Sequence, residues 1–156
     1  MKKVISIVLI FSMLLGLNIT AFALEGTESN PYVIETPDDL QNMRDDLSGH
    51  YVLGDDIDMT GYWYDPVGNE VDGAFIGSLD GKGYTISNLD LDLEGSKYVG
   101  LFGYLDGTVK NVNLEITKAT GYRYVGGIAG YVGENGEISD CTVSGNLDCK
   151  YPLGKE

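Results

Sequence analysis

The sequence is poor in positive charge. Its 156 residues include 24 Asp and Glu against 10 Lys and Arg, which gives a formal net charge of −14. Arginine occurs only as Arg44 and Arg123. A protein that binds nucleic acid needs a basic face to neutralise phosphates, so the composition excludes nucleic acid as a partner. An acidic excess of this size is typical of an exported protein that stays in solution.

Histidine and cysteine are also scarce, with one His and two Cys in the whole chain. Nucleophilic catalysis through a Ser-His-Asp or Cys-His set requires a histidine, and we interpret His50, which follows Gly49, as a turn residue. One His and two Cys do not provide a recognised zinc-ligand spacing. The sequence therefore predicts no catalytic residues, no metal site and no cofactor.

A long apolar run occurs only at the N-terminus. Lys2 and Lys3 precede a predominantly apolar stretch of fourteen residues, 4–17, and Ala21-Phe22-Ala23 matches the small-x-small cleavage rule. The stretch is shorter than the ~20 residues that span a bilayer. We therefore predict a signal peptide over residues 1–23 and no integral membrane span in the mature chain. The protein is expected to be secreted, extracellular or held at the cell surface.

A short helix is predicted near the start of the mature chain. Thr36 supplies a hydroxyl N-cap, Pro37 stands at the first helical position, and two acids follow in the first turn. Three apolar residues share one face of this helix: Leu40, Met43 and Leu47. Because Gly49 follows, we predict a capping helix over residues 37–47.

The rest of the chain alternates apolar and polar residues with the two-residue period of β-strands. The clearest segments are 89–93 and 112–116. A step of twenty-three residues places Leu91 on Leu114, and a step of twenty-nine then places Val143 on Leu114. Parallel coils need such registry because equivalent positions lie about 4.8 Å apart. A polar residue precedes each segment and is interpreted as a structural ladder at a corner: Asn88, Asn111 and Asp140.

These patterns predict an all-β fold, a single-stranded parallel β-helix (β-solenoid) with a short N-terminal capping α-helix. The solenoid is assigned to residues 32–147, between a flexible polar leader at 24–31 and a C-terminal tail at 148–156. Cys141 continues an inward column, which favours a buried free thiol. A disulfide between Cys141 and Cys149 is the alternative for an exported protein.

A glycine box occurs twice, as Gly100-Leu101-Phe102-Gly103 and as Gly127-Ile128-Ala129-Gly130. It resembles the GLUG repeat, Gly-Leu-hydrophobic-Gly, of bacterial secreted and surface proteins, and the stretch 51–81 is similar to what usually precedes such repeats. The resemblance covers about residues 30–147. It implies an extracellular β-solenoid module found on adhesins and attached to large proteins such as immunoglobulin-cleaving metalloproteases, and it carries no catalytic residues. Ala129 departs from the pattern because it is smaller than Phe102.

Aromatic residues provide the best candidates for ligand contact. The candidate residues are Tyr62, Trp63, Tyr64, Tyr122 and Arg123. Aromatic faces stack on sugar rings and on other proteins, and an arginine adds hydrogen-bond donors. The expected partners are glycans, cell-wall polymers, or host and surface proteins. Packing in the core or at a corner is the alternative interpretation of Trp63.

We therefore predict a non-catalytic module for binding, adhesion or display. The many acids leave a polysaccharide-cleaving β-helix enzyme as one alternative, and a truncated fragment of a larger surface protein or protease as another. The helix at 37–47 covers one end of the stack, whereas Pro152 and Gly154 discourage a strand or helix at the other. An uncovered last coil leaves strand edges free, so end-to-end self-association is expected.

Overall fold

The computed structural model describes residues 25–150 as a stack of short strands with one helix near its start. Helix α1 covers Pro37–Asn42 and continues as a 3-10 turn over Met43–Asp45. The strands are β1 Tyr32–Ile34, β2 His50–Leu53, β3 Ile57–Asp58, β4 Ser78–Asp80, β5 Thr85–Asp92, β6 Tyr98–Val99, β7 Phe102–Leu105, β8 Thr108–Lys110, β9 Asn113–Gly121, β10 Tyr124–Val125, β11 Ala129–Val132, β12 Glu137–Ser139 and β13 Thr142–Cys149. The predicted signal peptide lies outside the described residues, as do residues 151–156 of the predicted tail.

Every pairing between these strands is parallel and joins successive turns of the chain. Strands β1, β2, β4, β8 and β12 form one sheet in that order, and β3, β5, β9 and β13 form a second. Two narrower faces pair β6 with β10 and β7 with β11. The fold is therefore a parallel β-solenoid of about four turns with one short helix, which confirms the predicted fold class.

The two glycine boxes lie directly on each other in the stack. The Leu101 N–H donates to the Gly127 carbonyl over 2.9 Å, and the Phe102 N–H donates to the Ile128 carbonyl over 2.8 Å. Leu101 and Phe102 are fully buried. Ala129, which pairs with Phe102, is only half-buried, because it lies in the last described coil and no described coil covers it.

Helix α1 closes the N-terminal end of the core. The Thr36 hydroxyl accepts from the Asp39 N–H at 3.2 Å, and the Asp39 carboxylate accepts from the Thr36 N–H at 3.0 Å. This reciprocal capping box satisfies two helix-end donors. Leu40 and Met43 are fully buried beneath the helix.

The helix is shorter than the predicted span of residues 37–47. It ends at Asn42, and the chain tightens into the 3-10 turn that carries Met43 into the core. Leu47 lies beyond both elements, although it packs against the buried cluster. The three-residue spacing of Leu40 and Met43 suits either kind of helix, so it did not fix the C-terminal end.

The predicted register between β5 and β9 is wrong. Leu114 pairs with Ile86 instead of Leu91, which makes the step 114 − 86 = 28 residues. Asn88 has a φ of 56° and interrupts β5, and the pairing shifts at that point. The step of twenty-nine in the next coil is confirmed, because Val143 pairs with Leu114.

Asparagine side chains link consecutive coils, but not as the single corner ladder that was predicted. Asn111 and Asp140 both have positive φ and follow paired strands β8 and β12, whereas Asn88 lies inside β5. The amide groups donate to carboxylates of the preceding coil rather than to turn backbone. The bonds are Asn88 to Asp58 at 2.9 Å, Asn111 to Asp80 at 3.0 Å and Asn135 to Asp106 at 3.1 Å.

One corner of the stack requires glycine in successive turns. The Ser78 N–H donates to the Gly49 carbonyl at 3.1 Å, and the Thr108 N–H donates to the Gly77 carbonyl at 3.0 Å. A Cβ atom at Gly77 would lie 2.0 Å from the Gly49 oxygen, and one at Gly107 would lie 2.2 Å from the Gly77 oxygen. The coils approach too closely there for any side chain.

The segment predicted as a flexible leader makes defined contacts over residues 25–31. Thr27 and Asn30 exchange backbone hydrogen bonds of 3.2 and 3.1 Å, and the Gly26 carbonyl accepts from the His50 N–H at 3.0 Å. The leader is therefore joined to the start of β2.

The last strand, β13, extends two residues beyond the predicted end of the domain at residue 147. Cys141 immediately precedes this strand, Cys149 is its last residue, and both are free thiols. The strand rise of about 3.3 Å per residue separates their backbones by about 26 Å. A disulfide within one chain is therefore excluded in this fold, because bridged Cα atoms lie within about 7 Å of each other.

Candidate binding surface

Four tyrosine side chains lie together on the last two coils. Tyr98 pairs in register with Tyr124, and Tyr104 pairs in register with Tyr131. Equivalent residues on neighbouring parallel strands project from the same face. We call these four residues the tyrosine patch.

The rings of the tyrosine patch contact one another. The Tyr98 and Tyr124 rings are stacked, with centroids 5.0 Å apart, and the Tyr104 and Tyr131 rings meet edge to face at 4.9 Å. Both arrangements are favourable for aromatic pairs. Tyr131 is 41% exposed and the other three are half-buried. Desolvation raises the pKa of Tyr104.

An ion pair borders the patch. Glu70 accepts hydrogen bonds from Lys97 Nζ at 2.5 Å and from the Tyr98 hydroxyl at 3.0 Å. The Lys97 ammonium lies 4.9 Å from the Tyr98 ring centroid, within reach of a cation–π interaction. Hydrogen bonds from Lys97 and Tyr98 lower the pKa of the Glu70 carboxyl. These contacts fix the orientation of the Tyr98 ring at the border of the patch.

A groove of about 410 Å³ runs between Tyr98 and the loop that carries Glu70. The side-chain oxygen of Asn69 shapes this loop, because it accepts hydrogen bonds from the backbone N–H groups of Val71 and Asp72 at 2.7 and 2.8 Å. Val71 is 92% exposed. The patch therefore combines aromatic rings with an adjoining groove that has both apolar and polar lining residues.

The predicted contact residues at 62–64 lie in three different environments. Tyr64 is 1% exposed and its hydroxyl donates to the Leu101 carbonyl at 2.9 Å, so it is a core residue and does not reach a surface ligand. Burial raises the pKa of Tyr64. The Tyr62 hydroxyl donates to Asp38, and Trp63 is 73% exposed.

Helix α1 holds this aromatic segment in place through Asp65. The Gln41 amide donates to the Asp65 carbonyl at 3.1 Å and accepts from the Asp65 N–H at 2.9 Å. Arg44 forms an ion pair with the Asp65 carboxylate and lies 3.6 Å from Asp72. Trp63 is thus a single exposed ring on an anchored loop.

Tyr122 and Arg123 lie at the start of the terminal coil and are both exposed. The Tyr122 N–H donates to the Ser96 carbonyl at 2.8 Å, and the Arg123 carbonyl accepts from the Cys149 thiol at 2.8 Å. They precede Tyr124 of the patch in sequence. The predicted contact set therefore includes neighbours of the patch but none of its four members.

The sequence contained a signal for the patch. Tyr98 and Tyr124 precede the two glycine boxes, and Tyr104 and Tyr131 follow them directly. The separation of Tyr104 from Tyr131, 131 − 104 = 27 residues, equals the separation of the boxes. Tyrosines that keep the repeat spacing must stack, whereas adjacent aromatics in one strand alternate between its two faces.

A Ser-His pair on strands β2 and β4 lacks the third group of a catalytic set. His50 Nδ1 lies 2.8 Å from the Ser78 hydroxyl. Within residues 25–150 no carboxylate bonds to the other ring nitrogen, which a triad uses to orient its base. The same part of the chain has no group of three or more His, Cys, Asp or Glu side chains placed to hold a metal ion.

The sequence of the solenoid matches a known family. Residues 27–145 fit the family model described as the M26 IgA1-specific metallo-endopeptidase N-terminal region. The chain belongs to this family. The match is to the N-terminal region of these peptidases and not to their catalytic domain, so it brings no peptidase site to the M26 N-terminal-type solenoid described here.

Two relatives are much longer than this M26 N-terminal-type chain. Halomucin of Haloquadratum walsbyi is 38% identical over 145 residues, which are 83% of this chain and 2% of halomucin. A protein of Evansella cellulosilytica, provisionally named a Gly-rich membrane protein, is 37% identical over 100 residues, which are 58% of this chain and 12% of that protein. The chain thus spans a small part of the length of these relatives.

A solved structure shares the fold of this family member. The crystal structure of a candidate immunoglobulin A1 protease from Bacteroides ovatus aligns with a TM-score of 0.61 and 23% identity, over 78% of this chain and 40% of that one. The similarity shows a common solenoid fold. In residues 25–150 there is no helix with the length and apolar character needed to cross a bilayer.

Proposed function

We propose that this chain is an extracellular or cell-surface β-solenoid module that binds neutral carbohydrate chains through the tyrosine patch. The observation that carries the proposal is the contact of four tyrosine rings from two successive coils on one surface. The module is non-catalytic, and its glycine boxes serve as GLUG-type structural repeats.

The ring arrangement suits a sugar chain. Sugar rings offer apolar C–H faces that pack on aromatic side chains, together with hydroxyl groups that need hydrogen-bond partners. The patch supplies both, because each tyrosine has an apolar ring and a polar hydroxyl. Glu70 and Lys97 at its border supply a charged acceptor and donor.

The charge of the protein favours a neutral ligand. A formal net charge of −14 repels polyanions such as nucleic acid and phosphate-bearing cell-wall polymers. Of the partners expected from the sequence, neutral glycans therefore fit best. The membrane-protein name of one relative and the IgA1-peptidase family support a location outside the cell.

Binding titrations with neutral polysaccharides test the proposal. The full chain is titrated with soluble cellulose, chitin and mannan oligosaccharides, and binding is followed by calorimetry. Replacing Tyr131 or Tyr98 by Ala should weaken binding about three- to tenfold each, because one aromatic contact contributes about 0.5–1.5 kcal/mol.

Two variants serve as controls. Tyr84 is 36% exposed and lies outside the patch, so Tyr84→Ala should leave the affinity unchanged. Trp63→Ala examines the strongest of the predicted contact residues separately. Binding that depends on Trp63 and ignores the patch would reject the proposed site. Binding of a host protein but no glycan would reject the ligand class, and cleavage of a polysaccharide by the purified chain would favour the enzyme alternative.

A further inference from the structure

The terminal coil leaves its core residues open to solvent. Val143 and Leu147 of β13 are 39% and 45% exposed, although their partners Leu114 and Ala119 in β9 are buried. All four occupy inward positions of the four-stranded sheet. The outer side of β13 therefore presents an apolar row beside a strand edge with which no strand of residues 25–150 pairs.

The backbone of β13 shows which groups are free for pairing. The Thr142 N–H donates to the Val112 carbonyl at 2.9 Å, and the Lys150 N–H donates to the Gly121 carbonyl at 3.0 Å. The even-numbered residues of β13 therefore direct their backbone groups toward β9. The β9–β13 pairing shifts register between Gly145 and Leu147, where Gly145 has a φ of 137°, but Thr142 and Lys150 bond to the β9 side on both sides of this irregularity. Because these directions alternate along a strand, the odd-numbered residues Val143 and Leu147 offer their backbone groups at the open edge.

The other end of the molecule does not fit this edge. Helix α1 covers the N-terminal cross-section, with Leu40 and Met43 fully buried beneath it. The N-terminal edge of the same sheet is β3, which has two residues against the eight of β13, so a second copy matches the open edge along its length with its own C-terminal coil. Such an arrangement is two-fold symmetric, which makes the two copies of β13 antiparallel.

The inward row of β13 is symmetric about Gly145. In an antiparallel pairing centred on this glycine, each residue of one copy faces a residue of the second copy. The residue numbers of such a facing pair add up to 290, which is twice 145. Val143 then faces Leu147 of the second copy, and Cys141 faces Cys149 of the second copy. Both pairs consist of odd-numbered residues, whose backbone groups point to the open edge, so the hydrogen bonds and the side chains select the same register.

The outward row fits this register as well. Thr142 faces Asp148 of the second copy, and Asp140 faces Lys150 of the second copy. No like charges stand directly opposite each other, which would destabilise an antiparallel pair. Gly145 has no side chain at the two-fold axis, so the strands can approach closely there.

We propose that two copies of this chain join tail to tail through β13 and are locked by two disulfides, each between Cys141 of one copy and Cys149 of the other. Opposite residues of an antiparallel pair have Cα atoms about 5.5 Å apart, which lies within the range for a disulfide. The occupant of the open coil is thus a second copy of the chain, and the assembly closes as a dimer.

The oxidation requires an electron acceptor. For each bond, two thiols lose two protons and two electrons, and one small-molecule disulfide such as oxidised glutathione is reduced to two thiols by exchange. The environment outside the cell, where the proposed function places this chain, favours such oxidation. The pairing itself does not depend on the tyrosine patch or on a glycan.

The covalent part of the proposal is tested by oxidation of the full chain. The reduced protein is incubated with oxidised and reduced glutathione and is examined by non-reducing electrophoresis and mass spectrometry. A covalent dimer is expected. Cleavage before Asp140 and Asp148 separates the two cysteines, and the linked fragments should be 140–147 and 148–156 from different copies.

Single cysteine variants distinguish this arrangement from other crosslinks. Cys141→Ser and Cys149→Ser should each abolish the covalent dimer completely, because every proposed disulfide needs one Cys141 thiol and one Cys149 thiol. A covalent dimer that survives either substitution would overturn the proposal. Fragments linked through two copies of the same cysteine would overturn it as well.

The non-covalent interface is tested by sedimentation of the reduced chain. The Cys141→Ser, Cys149→Ser double variant should still show twice the monomer mass as its concentration rises. Adding Val143→Lys should return it to the monomer, whereas Val33→Lys, at a 54% exposed site at the opposite end, should not. A chain that stays monomeric throughout, or that forms open-ended polymers, would contradict a closed tail-to-tail dimer.

Discussion

The inner coil and the terminal coil carry similar residues in the same columns, but only one of them is enclosed. Val109 and Leu114 are at most 1% exposed, whereas their partners in the terminal coil, Ile138 and Val143, are 40% and 39% exposed. The amino acids and their register are comparable. In a solenoid, burial is therefore set by whether another coil follows, because each coil encloses the core of its neighbour.

The two ends of the stack differ in the same way. At the N-terminal end a capping box holds a short helix over the core. At the C-terminal end of the described residues, six exposed large hydrophobic side chains belong to one coil. They are Tyr122, Tyr131, Val132, Ile138, Val143 and Leu147. The chain itself covers the N-terminal end of the core, whereas the exposed apolar surface at the C-terminal end is suited to contact with another protein surface.

Truncation of paired core residues should give the largest difference between the coils. Leu114→Ala should lower the free energy of unfolding by about 2–5 kcal/mol, because it leaves a cavity in an enclosed layer. Val143→Ala should lower it by less than about 1 kcal/mol in dilute, reduced protein, since this residue is already half in water. Urea unfolding followed by circular dichroism measures both.

The neighbouring exposed residue provides the control for this comparison. Glu115→Ala should change the free energy of unfolding by no more than about 0.5 kcal/mol. If Val143→Ala cost as much as Leu114→Ala in the monomer, the terminal coil would be as enclosed as the inner one and the comparison would fail.

The second-largest effect is expected from removing the side-chain hydrogen bonds that link consecutive coils. Asp80 accepts from Asn111 and lies 3.0 and 3.5 Å from the ammonium groups of Lys82 and Lys110. Burial tends to raise its pKa, but the hydrogen bonds from Asn111 and Lys82 outweigh this and hold it well below the usual range. Asp80→Asn should therefore cost about 1–3 kcal/mol at neutral pH.

The lowered pKa of Asp80 predicts the direction in which its contribution to stability changes with pH. A carboxyl with a lowered folded-state pKa stabilises the protein fully above its ordinary pKa of about 4, and this stabilisation is lost as the pH falls toward the folded-state value. The stability difference between the native protein and Asp80→Asn should shrink in acid. Asp106→Asn, at the link to the terminal coil, should show the same trend with a smaller amplitude. A difference that grew in acid would contradict the assignment.

Loss of the N-terminal cap should have the smallest effect of the three. Thr36→Ala removes the hydroxyl that accepts from Asp39 and should lower the free energy of unfolding by about 1 kcal/mol. Thr142→Ala, an exposed threonine of the terminal coil, serves as the matched control and should cost less than about 0.5 kcal/mol. Equal losses at both sites would mean that the cap does not seal its end.

The solenoid could be predicted because its repeats are visible in the sequence. The two glycine boxes stack at their sequence spacing, and Val143 lies on Leu114 as expected. The register of β5 could not be predicted. Leu91 pairs with Ala119 instead of Leu114, an error of five residues, whereas strict alternation allows only even shifts. The left-handed backbone of Asn88 breaks the alternation within β5, and the apolar pattern does not record this local event.

The binding surface was harder to predict than the fold. Residues 62–64 drew attention because three aromatics stand together, but the tertiary contacts of Tyr62 and Tyr64 leave only Trp63 widely exposed. The tyrosine patch is dispersed over 34 positions, from 98 to 131. Its members become neighbours only once the coil length is known, so the fold had to come first.

Because the tyrosines lie beside the glycine boxes, the length of the tyrosine array depends on the number of coils. Each turn of the stack contributes two rings and advances about 4.8 Å along the axis. Duplication of one such 27-residue unit would lengthen the array by two rings without any redesign of the core. In proteins built from more of these coils, avidity for an extended ligand would then be tuned by the number of copies rather than by the chemistry of any single contact.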